Sequence, residues 1–281
     1  MSARRQFKRM VLGLPQNPRD YSGVAAAANL AELLGIGLSA TFVEDATLFD
    51  IVGLPCVREL RPLEGGWQPI SITQLAREIE HAAATAHRLF NESTRMCTVE
   101  TSFSLARGAA GDVLAGQVTA EDILVIVEPK SPGERFTRQF TQLLAAAFQA
   151  AAAVMIVPSR IARATGPVVA IAANCDDPSI SAAISIAAAA GELLIVVPLS
   201  GFDSSKMLAE RAAAAGVRLK IAPALHSKLG QSALAGSIAS LKGRLIAMTR
   251  GTLDDTSDDS LSSFCAVPVL VIEPYTASMR D

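Results

Sequence analysis

Aromatic side chains are scarce. They make up 5% of the 281 residues, with a single tryptophan. The interior must therefore be built from aliphatic side chains and alanine, which lets helices lie close to a sheet. Charge is also sparse, at 19% of residues with a net charge of −2. That balance gives no general attraction to nucleic acid or to an anionic membrane. The basic start, Arg4-Arg5 and Lys8-Arg9, reads as a solvated terminus. Only four cysteines occur, Cys56, Cys97, Cys175 and Cys265, and none has CxxC spacing. Free thiols are expected, with no metal and no disulfide framework.

Long apolar runs are absent too. The best candidate for a membrane span, Ile180 to Leu199, is broken by Ser181, Ser185, Gly191, Glu192 and Pro198. Met1 to Lys8 has no apolar core of the signal-peptide kind, so a cytoplasmic location is expected. Catalytic signatures are missing: there is no H-E-x-x-H, G-x-S-x-G or Walker sequence. His81 and His87 lie six apart and cannot share a helix face, and His226 stands alone. No nucleophile is paired with a base.

What the chain does have is a repeat. Arg9-Met-Val-Leu-Gly-Leu-Pro-Gln-Asn-Pro18 precedes an Ala-rich helical pattern ending at Gly35. Pro167 through Pro178 and an Ala-rich stretch ending at Gly191 follow the same outline. Each half closes on a β-branched segment, Val154–Val157 and Val267–Ile272. Two modules are expected, 1–158 and 167–281, joined by a short basic linker, Pro158–Gly166. Each is large enough to bury its own core.

In the first module strands are expected at Met10–Leu14, Leu38–Val43, Val99–Leu105, Asp122–Val127 and Val154–Val157, with helices between. In the second, strands at Val168–Ala172, Leu193–Val197, Val217–Ile221 and Arg244–Met248 precede a short helix near Ser257–Phe264 and the last strand. Alternating β and α elements predict an α/β fold: two tandem open parallel five-stranded sheets with helices on both faces. The two last strands are expected to pair, forming an internal pseudo-dimer, because an open apolar edge favours pairing. Further homodimerisation is left open. Ala46–Ile72 has no counterpart in the second module. A short helix and a loop are expected there, with Phe49, Ile51, Leu54 and Trp67 either covering the ligand side or the groove between modules or simply extending the core. Arg107-Gly108-Ala-Ala-Gly111 reads as a turn that begins a helix.

In open parallel sheets ligands sit beyond the carboxyl ends of the strands, where strand order reverses. The candidate loops are Pro15–Asp20 and Glu128–Arg135 in the first module, and Asn174–Pro178 and Thr249–Ser257 in the second. In element order, in the strand-one start and in the closing VPVLVIEP-type strand, the chain resembles the universal stress proteins over nearly its whole length. That resemblance implies a Rossmann-like, adenine nucleotide alpha hydrolase-like fold. ATP-binding members carry an aspartate at the end of strand one and a G-x2-G-x9-G-[ST] loop after strand four, whose N–H groups receive phosphate.

This chain departs from both features. Pro15 and Ala173 or Asn174 stand at the aspartate position. Lys130 replaces the first loop glycine, Gly133 keeps the second, and Phe140-Thr141 replaces the closing Gly-Ser pair. In the second module Asp254, Asp255, Asp258 and Asp259 fall where phosphates would sit. They lack EF-hand spacing and read as a solvated, helix-capping loop. No cofactor is therefore expected. If ATP or another anion is held, the residual site is Gln16, Lys130, Gly133 and Thr141 in the first module. The function implied is a non-catalytic stress-response protein acting through an as yet unidentified protein partner. A nucleotide sensor using only the first module and a small-molecule hydrolase are the alternatives, and the missing acid–base pair argues against the last.

Overall fold

A computed structural model describes residues 7–14, 22–52, 57–61, 66–69, 71–129, 131–135, 137–199, 202, 205–225, 231–253 and 261–274. The continuous apolar runs of the sequence become buried strands, as expected when helices cover both faces of a parallel sheet. In the first half the strands are β1 (Arg9–Leu14), β2 (Gly37–Glu44), β5 (Thr101–Arg107), β6 (Ile123–Val127) and β7 (Ala153–Val157), of which β5, at the sheet edge, is largely exposed. In the second half they are β8 (Val168–Ala172), β9 (Leu194–Pro198), β10 (Leu219–Ile221), β11 (Leu245–Thr249) and β12 (Val269–Ile272), with β10 the other exposed edge.

The strands form one sheet of ten, in the order β10-β9-β8-β11-β12-β7-β6-β1-β2-β5. The expectation of two separate sheets is corrected by this continuity. Each half repeats the order 3-2-1-4-5, and the halves meet where β12 runs antiparallel to β7, with Val269 opposite Ile156 and Ile272 opposite Ala153. The pairing of last strands expected from their β-branched composition is present. It satisfies two edges that would otherwise expose unpaired backbone groups.

Side-chain alternation along the strands feeds two apolar layers, one on each face. One layer takes in α1 (Ser22–Leu34), α3 (Ile72–Thr94), α7 (Pro178–Ala190) and α8 (Ser205–Ala214), through Ala27, Phe90, Ile180 and Leu208. The other takes in α4 (Ala110–Gln117), α6 (Arg138–Ala150) and α9 (Gln231–Ser240), through Leu114, Phe148 and Ile238. Both layers run across the junction, so the halves share their cores where separate cores were expected. The Ala-rich helices α1 and α7 pack against each other across the halves. Helix α7 stops at Gly191, whose φ of 65° is the left-handed conformation glycine takes without penalty.

The first-half insertion contains the expected short helix, α2 (Ala46–Val52). A loop was expected after it; the described residues there include two short strands, β3 (Arg58–Arg61) antiparallel to β4 (Gly66–Pro69), outside the main sheet. Gly108 turns with φ 151° and its N–H bonds to the Glu44 carbonyl before α4 begins, as the sequence predicts.

Candidate functional site

Because each half runs 3-2-1-4-5, its chain leaves strand one in one direction and returns to strand four on the other side. The switch points therefore lie beyond β1 and β6 in the first half, and beyond β8 and β11 in the second.

In the second half the switch point is bridged by Asp177. This residue is 5% exposed and caps α7, with Pro178 at the start of the helix. One carboxylate oxygen, Oδ1, accepts from the Ser179 N–H at 3.0 Å and the Ser179 hydroxyl at 2.7 Å. It also accepts from the Thr249 hydroxyl at 2.5 Å, at the end of β11. The other, Oδ2, accepts from the Ala173 N–H at 3.1 Å, just past β8. One buried carboxylate thus ties strand one, strand four and a helix together. Arg211 holds the same turn from outside, donating to the Cys175 carbonyl and to the Ser181 hydroxyl. Within this loop, expected as a ligand contact, Asn174 Oδ1 also accepts from the Asp176 N–H at 3.0 Å, while Asn174 and Asp176 are exposed. The Asp-Pro pair is a recognisable cap signal in the sequence, but its bond to Thr249 spans 72 residues and has no local signature.

In the first half, the start of α1 is pressed onto the end of β6. A Cβ added at Gly23 would lie 2.2 Å from Val127 Cγ2. Only glycine lets the helix approach the strand this closely.

The exits of the two fourth strands are also equivalent. The Glu128 N–H bonds to the Val157 carbonyl at 2.8 Å, and the Arg250 N–H bonds to the Ile272 carbonyl at 2.9 Å. Both side chains engage groups beside the junction. Glu128, 2% exposed, accepts from the Ser263 hydroxyl, and Ser263 in turn accepts from Arg135 Nη1. Arg250 donates to Glu273 at 2.8 Å and lies over the Phe148 ring, 4.6 Å from its centroid. Ser263 belongs to a helical turn at 261–265, where a short helix was expected. Arg135 ends a four-residue helix, α5 (Pro132–Arg135), that was not expected from the sequence.

Of the anticipated anion site, Gln16 and Lys130 lie outside the described residues. Gly133 falls in α5, where an added Cβ would meet nothing nearer than Ser131 Oγ at 3.7 Å. Neither φ nor crowding calls for glycine there. Thr141 is in α6, its hydroxyl donating to the Thr137 carbonyl at 3.2 Å. Phe140 is buried in the apolar layer beneath α6. Asp254, Asp255, Asp258 and Asp259 lie outside the described residues, as do His226 and Cys56. Among the described residues no cluster of His, Cys, Asp and Glu is arranged to hold a metal.

Cys97, Cys175 and Cys265 are free thiols. Burial pushes Cys265 up to about 11, with the Arg163 charge opposing. Burial raises Cys97 as well, assisted by the Glu32 charge. His87 stacks on Phe103 with ring centroids 4.6 Å apart, a packing role.

The insertion behaves unevenly. Phe49 packs against the core under the Arg107 guanidinium, which is 4.6 Å from its centroid and paired with Glu44 at 2.9 Å. Phe49 thus extends the core at the carboxyl ends of β2 and β5. Ile51 and Trp67 are exposed, Trp67 by 64%. Leu54 lies outside the described residues. No described helix is long and apolar enough to cross a membrane.

With this geometry in hand, comparison with solved structures is informative. A universal stress protein from Archaeoglobus fulgidus DSM 4304 superposes with a TM-score of 0.65 over 94% of this chain and 96% of its own, at 12% identity. The fold is that of the universal stress proteins. A putative universal stress protein from Pseudomonas aeruginosa UCBPP-PA14 gives 0.55 at 14% identity, covering 97% of this chain and 95% of its own. A functionally unknown protein from Pseudomonas aeruginosa PAO1 gives 0.56 at 15% identity, covering 98% and 95%. No family model and no curated protein matches the sequence.

Proposed function

We propose that this chain is a non-catalytic stress-response protein, built as tandem modules 1–158 and 167–281, that works by binding a protein partner and has lost the nucleotide crevice. The observation that carries this reading is Asp177. Its carboxylate accepts from Thr249, Ser179 and Ala173, so its oxygens are committed to the chain's own donors beside the second-half switch point. The close seat of Gly23 on Val127 supports the same reading for the first half. The exposed Trp67 and Ile51 of the insertion are the apolar groups offered to a partner. Free thiols fit a reducing, cytoplasmic setting.

Calorimetry with ATP and Mg²⁺ tests the loss of nucleotide binding. Loss of two or three hydrogen bonds to phosphate, at about 1.5–3 kcal/mol each, takes micromolar affinity towards millimolar or weaker. No saturable heat at micromolar protein is the expected result. A micromolar, one-to-one isotherm would contradict it.

A further inference from the structure

We propose that Glu128, Ser263 and Arg135 form a latch by which the second half holds down the segment that follows the first half's fourth strand. Ser263 is separated from Glu128 by 135 positions and from Arg135 by 128, so the contact is tertiary. Its hydroxyl donates to the Glu128 carboxylate and accepts from the Arg135 guanidinium, joining opposite charges through one side chain. Glu128 is almost fully buried, and its backbone N–H is fixed to Val157 on β7. The backbone that carries the carboxylate is therefore held to the sheet. Arg135 is the free end of the device, since it closes the four-residue α5, too short to hold itself.

Two further observations set this contact apart. At the equivalent exit in the second half, Arg250 pairs with Glu273 and stacks on Phe148, but its side chain is 42% exposed. A solvated pair of that kind holds weakly, whereas a buried charge must keep its partners. The latch is thus one-sided: the second half grips the first. Moreover, Arg135 Nε is buried with no hydrogen-bond partner among the described residues. The closed state leaves one donor unsatisfied, which favours release once Ser263 lets go.

Native-state trypsin digestion, with the bond after Arg135 followed by mass spectrometry, tests the latch without any ligand. In wild type this bond should be protected. In Ser263→Ala, cleavage there should accelerate at least tenfold while the bonds after Arg211 and Arg244 keep their wild-type rates. Glu128→Gln should accelerate the same bond, and Ser263→Thr, which retains a hydroxyl, should stay closer to wild type than Ser263→Ala. Arg250→Ala should leave that bond unchanged. An unchanged rate in Ser263→Ala would overturn the proposal. So would equal acceleration at Arg135, Arg211 and Arg244, which would mark general unfolding. Because no nucleotide is present, these outcomes are independent of whether ATP binds.

Discussion

Replacing Asp177 by alanine removes the acceptor for four donors at once: the N–H groups of Ala173 and Ser179 and the hydroxyls of Ser179 and Thr249. Loss of a helix cap alone costs about 0.5–2 kcal/mol. Each hydrogen bond to a charged acceptor contributes about 1.5–3 kcal/mol. Part of that sum is returned, because a buried carboxylate no longer has to be desolvated and water can reach some of the stranded donors. We expect a net loss of about 3 kcal/mol for Asp177→Ala. Asp177→Asn keeps an acceptor oxygen and should cost less, about 1–2 kcal/mol. Thr249→Val keeps the shape and removes one donor, costing about 1 kcal/mol. Urea denaturation followed by circular dichroism measures all three. In a double-mutant cycle, Asp177→Ala and Thr249→Val should be less than additive by about 1 kcal/mol, because they share one bond. A loss below about 1 kcal/mol for Asp177→Ala, or strict additivity in the cycle, would refute the bridge across the switch point.

Gly23→Ala should destabilise by about 1–3 kcal/mol through the clash with Val127, and Val127→Ala should recover part of the loss; chemical denaturation of the single and double variants decides it. Cys265 should resist iodoacetamide at pH 8 in the native protein and react once it unfolds, as peptide mapping can show. Its thiol titrates at about 11 in the folded chain, above the ordinary 9.0, so the native state holds the proton more tightly than the unfolded one. Its contribution to stability should be intact below pH 9 and lost between about pH 9 and 11; a Cys265→Ala variant should lack that part of the alkaline decline. Trp67, the single tryptophan and exposed, should show the fluorescence of a hydrated indole and full quenching by acrylamide; a shielded indole would mean that the hairpin packs elsewhere.

Much of the fold was legible because the buried strands announce themselves. Val168–Ala172 is a short, wholly apolar run and a strand with the expected boundaries, and the strand expected at Asp122–Val127 starts one residue later, at Ile123. The junction was legible for a related reason: β-branched last strands leave an apolar edge that pairing removes. That such pairing would merge the sheets and both apolar layers is a property of the assembled sheet, invisible in either repeat alone. The hairpin of β3 and β4 escaped because its strands are four residues each, too short for alternation to show among Pro55, Pro62, Gly65, Gly66 and Pro69. The sites were less legible still. Asp177 reads as an ordinary helix cap until Thr249 is brought beside it, and Ser263 reads as a surface serine until Glu128 and Arg135 close around it.

If, as we propose, the protein's own side chains close the crevices where a nucleotide would bind, the protein is purified without one. The most direct test is mass spectrometry of the freshly purified protein after denaturation, searching the released small molecules for adenine nucleotides. The account predicts none above background. Stoichiometric ATP or ADP released on unfolding would contradict it.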